Sequence, residues 1–215
     1  FLKNGFLPEA ILNYVALLGW HSSTDREFFT LQELEKEFSL KRLQKSGAVF
    51  DIEKLKWVNA HYLKSLPESD IASFVKPFFE NKKIDISDKL KFNKVVDFAR
   101  QRCSTLAEMP IESQMFYNYP VFSEINYELL QSAGKLLRNI SVKLEELRAC
   151  APDTFKQLVL AAGQDLVIKG KDLFFPVRTA LYGRPKGPDI PQIYDILGRK
   201  EVLFRLKKAQ HELSG

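Results

Sequence analysis

Cysteine is nearly absent from this chain, with two residues in 215, Cys103 and Cys150. They show no metal-ligand spacing, and the three histidines, His21, His61 and His211, stand singly, so no zinc site is expected. Long apolar runs are missing too: the longest, around Tyr14 to Leu18, falls far short of the roughly 20 residues a membrane helix needs. The first residues carry no signal-peptide pattern, and the expectation is a cytoplasmic protein with no membrane association. There is no glycine-rich phosphate loop and no histidine pair suited to binding ATP, so neither a catalytic residue nor a cofactor site is assigned. β-branched residues occur singly inside helix-period patterns, which excludes strands, and there is no fixed-period repeat or low-complexity segment. An initiating methionine is also missing. The chain opens at Phe1 inside what reads as structured sequence, as expected for a piece of something longer.

What is present is an ordinary foldable composition. Hydrophobic residues make up 45% and charged residues 27%, enough to bury a core and too little net charge for disorder. The net charge of +5 and a pI of about 9.1 fit an anionic partner such as RNA without requiring one. No uninterrupted lysine or arginine block exists, so positive charge has to come from folded surfaces.

The apolar periodicity is helical throughout, and the fold class is all-α. Pro8 sits in the first turn of a helix with an apolar face of Ile11, Leu12, Val15 and Leu18 that stops at Gly19. Thr30 and Glu33 form a capping box before Leu31, Leu34 and Phe38. Asp51 caps a helix whose face runs Leu55, Val58, Tyr62, with Trp57 and Asn59 off that line. Leu66 and Pro67 mark a boundary. Beyond it come a stripe of Ile71, Phe74, Val75 and Phe78, then a helix capped by Ser87 that carries Leu90, Val95, Phe98 and Ala99. Trp57 and Phe98 are both assigned to the core. Arg100 and Arg102 fall near that helix's C-terminus, where the macrodipole favours cations. Tyr117 to Pro120 marks a second boundary before one long helix from Leu129 through Ile140. Pro152 starts another, through Phe155 and Val159. The expected division is therefore 1–65, 66–116 and 117–215, three helical modules in an elongated arrangement.

One stretch, Lys171 to Pro191, stands out. Leu173, Val177 and Leu181 form a buried stripe, with Arg178 and Arg184 off it and able to face outward. Gly183 is suited to a left-handed C-cap, and Arg184-Pro185-Lys186-Gly187-Pro188 cannot continue a helix. Prolines flanking a glycine give a stiff cationic loop with one point free of side chain, where a flat ligand such as an unstacked base can approach the backbone. A helix-ending turn with solvated cations accounts for the same residues.

The run GFLPEAILNYVALLGW from Gly5 to Trp20, DRE at Asp25 to Glu27 and AVFDIEKLKWVNAHYL from Ala48 to Leu63 resemble bacterial glutamyl-tRNA synthetases. The similarity continues through VKPFF (Val75 to Phe79), FFPVRTALYG (Phe174 to Gly183) and GRKEVLFRL (Gly198 to Leu206), covering essentially the whole chain. The resemblance implies a helical region that contacts the tRNA stem over 1–65, followed by a two-part anticodon-binding domain. It also implies a parent chain with a catalytic domain and lysine-serine-lysine loop before Phe1. That parent would ligate glutamate to its tRNA with ATP and magnesium, neither of which this chain would hold itself. The present chain would supply recognition as a monomer bound to glutamate-specific tRNA.

Residue by residue, the resemblance places an anticodon third-base contact at Arg102. It surrounds the central base with Arg178, Gly187, Pro188 and Ile190. Arg184 and Lys186 are candidates for phosphate contacts, which a solvated turn explains equally well. Some relatives carry threonine at the position of Gly187 and phenylalanine at that of Pro191, so backbone contacts are expected there. Two other readings use the same helices: a protein-binding adaptor without RNA affinity, and the anticodon-binding part of a lysyl-type class I synthetase.

Overall fold

The computed structural model of the chain describes residues 1–24, 26–44, 47 and 49–212. Asp25 and Ala48, which open two of the motifs above, lie outside the described residues. Among the described residues the fold is all-α, with no strand and one isolated antiparallel bridge, between Trp20 and Leu43. None of these helices is long and apolar enough to cross a membrane. The chain divides into two units, Phe1–Ser113 and Gln114–Gly215. The boundary expected at residue 66 therefore falls inside the first unit, and the one expected at residue 117 lies close to the observed division.

In the first unit, α1 (Pro8–Gly19) packs on α3 (Ile52–Ser65), with the short α2 (Leu31–Glu37) against α1. Local chemistry sets the ends. Pro8 occupies the first turn of α1, where its missing N–H costs nothing. Thr30 accepts from the Glu33 backbone while the Glu33 carboxylate takes the Thr30 N–H at 2.8 Å, and the Asp51 carboxylate accepts from Glu53 and Lys54. The buried face of α1 is not the expected one. Ala10, Asn13 and Tyr14 are buried, Ile11 and Leu18 partly so, whereas Leu12 and Val15 are exposed. The reason is Asn13. Its amide donates to the Glu27 carbonyl at 2.7 Å and accepts from the Phe29 N–H at 2.8 Å, which turns a polar side chain inward to pin the following loop.

Helices α4 (Glu68–Asn81) and α5 (Lys89–Arg100) pack on each other, the Phe79 and Phe92 rings meeting edge to face at 5.2 Å between centres, and Ile71, Val75, Val95 and Val96 are buried. The cap of α5 is Asp88, which accepts from Lys91, rather than Ser87. Phe98 is 1% exposed and belongs to the core as expected. Trp57 does not: at 45% exposure it lies in a surface cluster with Phe28, and Lys54 Nζ sits 3.9 Å from its ring centre. A short helix α6 (Met109–Glu112) closes this unit.

The second unit comprises α7 (Gln114–Tyr117), α8 (Glu124–Ser132), α9 (Gly134–Glu146), α10 (Pro152–Asp165), α11 (Lys171–Tyr182) and α12 (Ile190–Glu212). Helix α12 is central, packing on α9, α10 and α11, and bends at Gly198, where φ is 75°. The single long helix expected across residues 129–140 is two helices, broken at Ala133 beside Gly134, a poor helix former. Arg199, just past the bend, donates to the carbonyls of Leu144, Glu145 and Leu147 and so satisfies the open C-terminal end of α9.

Candidate nucleic-acid interface

Gly183 ends α11 in the left-handed conformation, φ 81°, and its N–H bonds the Thr179 carbonyl at 2.8 Å. No larger residue fits there, because a Cβ would stand 2.9 Å from Cβ of Pro120 and clash with Met115. The loop that follows is closed by Arg178. Its Nε donates to the Pro188 carbonyl and its Nη1 to the Pro185 carbonyl, both at 2.7 Å. Arg178 thus lies off the apolar stripe, as its position in the sequence requires, but is half-buried and turned along the loop rather than out to solvent. Burial pushes its pKa down while nearby Asp189 opposes the shift.

The residues the sequence singles out around this loop present themselves differently. Arg184, Lys186 and Gly187 are exposed, whereas Pro188 and Ile190 are buried and support the loop from within. At Gly187, φ is 153°, and a Cβ there would lie 2.9 Å from the Tyr182 ring and 3.8 Å from Cδ of Arg178. The loop therefore offers main chain at its exposed point, with two exposed cations just before it in the chain. A guanidinium that has given two donors to the loop keeps donors for a ligand, since arginine carries five.

In the first unit, Arg100 and Arg102 part ways. Arg100 is largely buried, bonding the Leu66 carbonyl at 3.1 Å and the Asp97 carboxylate at 2.7 Å. Arg102 is exposed, with its guanidinium carbon 4.1 Å from the centre of the Phe98 ring and Nη1 donating to the Phe98 carbonyl at 3.3 Å. Stacking over a core phenylalanine holds the flat group in place while leaving it at the surface.

Two residues that sequence reasoning did not single out as functional position these elements. Asn59, fully buried, accepts the Leu7 N–H at 2.7 Å and donates to the Ser104 carbonyl at 2.6 Å, two residues beyond Arg102. The Leu106 N–H adds a bond to the Gly5 carbonyl at 3.0 Å, so the segment after Arg102 is fastened to the start of the chain. Arg205, also fully buried, reaches carbonyls on both sides of Phe116. Among the described residues no group of three or more histidines, cysteines, aspartates or glutamates could hold a metal ion.

Residues 70–210 match the family model described as anticodon binding domain. The chain belongs to the anticodon binding domain family. Residues 1–57 match the catalytic domain model of the class I tRNA synthetases for E and Q. The structural division of this family member after Ser113 thus falls inside its anticodon-binding match, not between the two models. It is 34% identical over 214 residues to the glutamate–tRNA ligase of Carboxydothermus hydrogenoformans, covering 96% of this chain and 45% of that one. To the enzyme of the same name from Wigglesworthia glossinidia brevipalpis it is 33% identical, covering 97% and 45%. A crystal structure of a glutamate tRNA ligase from Elizabethkingia meningosepticum in complex with its amino acid superposes with a TM-score of 0.88. Identity there is 27%, over 97% of this chain and 42% of that one. The glutamate-tRNA synthetase of Elizabethkingia anophelis gives 0.84, also at 27% identity, over 96% and 41%. The chain spans a little under half the length of these relatives.

Proposed function

We propose that this chain is the tRNA-recognising portion of a cytoplasmic glutamate–tRNA ligase, holding the anticodon loop and inner stem of a glutamate-specific tRNA as a monomer. The observation that carries this reading is the anticodon-binding family match over 70–210, combined with a stiff loop that presents bare backbone at Gly187, just after two exposed cations, Arg184 and Lys186. In this reading Arg102 bonds the third anticodon base, and Arg178 with the backbone of Gly187, Pro188 and Ile190 encloses the central one. Arg184 and Lys186 face phosphates. Unpaired bases in RNA loops are read by being splayed out, stacked and bonded along their edges, for which a planar arginine is suited. The mechanism is positioning: phosphate contacts set the register, base contacts select, and the acceptor end is delivered to a distant site.

The ligation itself, with ATP and magnesium, belongs to the intact enzyme. The chain has no glycine-rich phosphate loop, so no step is assigned to its residues. Modules of 1–65, 66–116 and 117–215, the first a stem contact, are part of the same proposal.

A binding titration with glutamate tRNA at several salt concentrations tests the reading. Each phosphate neutralised on single-stranded RNA contributes about −0.7 to the log-log slope, so affinity should fall steeply with salt. A slope near zero would turn the reading toward the protein-binding adaptor, and tighter binding of lysine tRNA would turn it toward a lysyl-type enzyme.

A further inference from the structure

Arg205 is the one arginine among the described residues that is fully buried, and its surroundings lead to the candidate loop. Its Nε pairs with the Glu201 carboxylate at 2.7 Å. Nη1 donates to the carbonyls of Met115 at 2.8 Å and Leu181 at 2.7 Å, and Nη2 to that of Asn118 at 3.0 Å. The three carbonyls come from two separate places, the α7 turn and the end of α11. Burying an arginine is expensive, and an apolar side chain of similar volume is often no worse for stability. What an apolar side chain cannot do is join several carbonyls that would otherwise lie buried without donors.

The two anchored segments lie directly behind the loop. Met115 and Asn118 bracket Phe116, whose ring lies 5.3 Å from that of Tyr182 between centres. The Tyr182 ring in turn is the floor on which Gly187 rests, 2.9 Å from where a Cβ would stand. Leu181 is the residue before Tyr182, and the Gly183 carbonyl accepts from Asn126 at 3.2 Å. Arg178 ties the far side of the loop to its own helix, while Arg205 ties the near side to α7.

We propose that Arg205 is a positioning residue for the base-facing loop, setting the height and register of residues 183–188 through the Phe116–Tyr182 stack and the Leu181 carbonyl. The proposal rests on the reading of that loop as the element that meets the anticodon. Its ion pair with Glu201, on the surface side, is secondary: the positioning is done by the carbonyl bonds.

The test is amide hydrogen exchange of the peptide covering 182–188. It compares wild type, Arg205→Lys, Glu201→Gln and, as a destabilised control, Phe155→Leu, at a temperature where all remain folded. Lysine keeps the charge but cannot span the acceptors, so Arg205→Lys should lose protection at Gly183, whose N–H bonds the Thr179 carbonyl. Glu201→Gln and Phe155→Leu should keep it. Unchanged exchange in Arg205→Lys, or equal loss in Phe155→Leu, overturns the proposal. If Arg205→Lys does not fold, Phe116→Leu removes the tier between clasp and floor and must show the same local loss for the proposal to stand. A second arm compares binding to tRNA transcripts differing only in the central anticodon base. If Arg178→Ala relaxes discrimination and Arg205→Lys does not, the positioning role fails while the loop reading stands. If neither does, the loop reading fails and the exchange result still decides Arg205.

Discussion

The Arg178 guanidinium bonds the Pro188 carbonyl at 2.7 Å across the loop that its own helix leads into. The side chain is therefore both a clamp and a candidate reader, and its removal has two separable consequences. Arg178→Ala should loosen the loop and, through the base contact, lose about 1 to 3 kcal/mol of binding with relaxed discrimination at the central base. Arg178→Lys keeps the charge but cannot place two donors in one plane, so it should retain salt-dependent affinity while losing discrimination. Full retention of discrimination by the lysine variant would remove Arg178 from base reading.

Phe98 and Trp57 separate core from surface. Phe98 is sealed inside the first unit, and its replacement by alanine should cost roughly 3 to 5 kcal/mol. Trp57 is nearly half exposed and touches Phe28 on the surface, so alanine there should cost well under that amount. Denaturant unfolding of both variants checks the order. A larger loss at Trp57 would contradict the packing described for α3.

The Thr30–Glu33 capping box should give the first unit a pH signature. The backbone N–H of Thr30, with Arg26 beside it, holds the Glu33 carboxyl down to about 2 from an ordinary 4.5. A depressed carboxyl stabilises the fold above its unfolded value and loses that contribution as pH falls from about 4.5 toward 2. Melting temperatures of wild type and Glu33→Gln should accordingly differ at neutral pH and converge across this window. Thr30→Ala, which removes the other half of the box, should cost about 1 kcal/mol.

Burial pushes the Cys103 thiol up to about 12, so it has almost no thiolate at pH 8, whereas Cys150 is partly exposed. A disulfide reagent should modify one thiol per folded chain and two once the chain is unfolded. Cys150→Ser should abolish the folded-state reaction. Rapid labelling of that variant would mean that Cys103 is reachable.

How far these features could be read in advance depended on the reach of the chemistry behind them. The caps at Thr30, Asp51 and Gly183 were legible because each rests on residues within four positions of one another. The inward face of α1 was not, because Asn13 is buried by partners at Glu27 and Phe29 that only the fold supplies. Arg205 gave no signal at all, since the carbonyls of Met115 and Asn118 lie 90 and 87 residues away. The loop after Gly183 was visible as a stiff cationic turn. That Arg178 would spend two donors holding it depended on where Pro185 and Pro188 came to rest.

The arginine pair at the end of α5 offers the clearest discrimination between structural and recognition roles. Arg100 is occupied by Leu66 and Asp97 and largely buried, so Arg100→Gln should lower stability and weaken all tRNAs alike, if at all. Arg102 is exposed and steadied from one side by the Phe98 ring, so Arg102→Gln should cost little stability. Its loss should fall on the third anticodon base, because a guanidinium can offer two donors to cytosine's acceptor edge while an amide must share that edge with a carbonyl. A pure phosphate contact at Arg102 would behave otherwise, weakening every transcript equally and making the salt slope shallower by about 0.7. Transcripts varied one anticodon base at a time, bound at fixed salt by wild type and both variants, distinguish these outcomes. Equal losses on all transcripts would reduce Arg102 to electrostatics. A selective loss with Arg100→Gln as large as that with Arg102→Gln would mean that the C-terminal turn of α5, rather than one exposed side chain, carries the recognition.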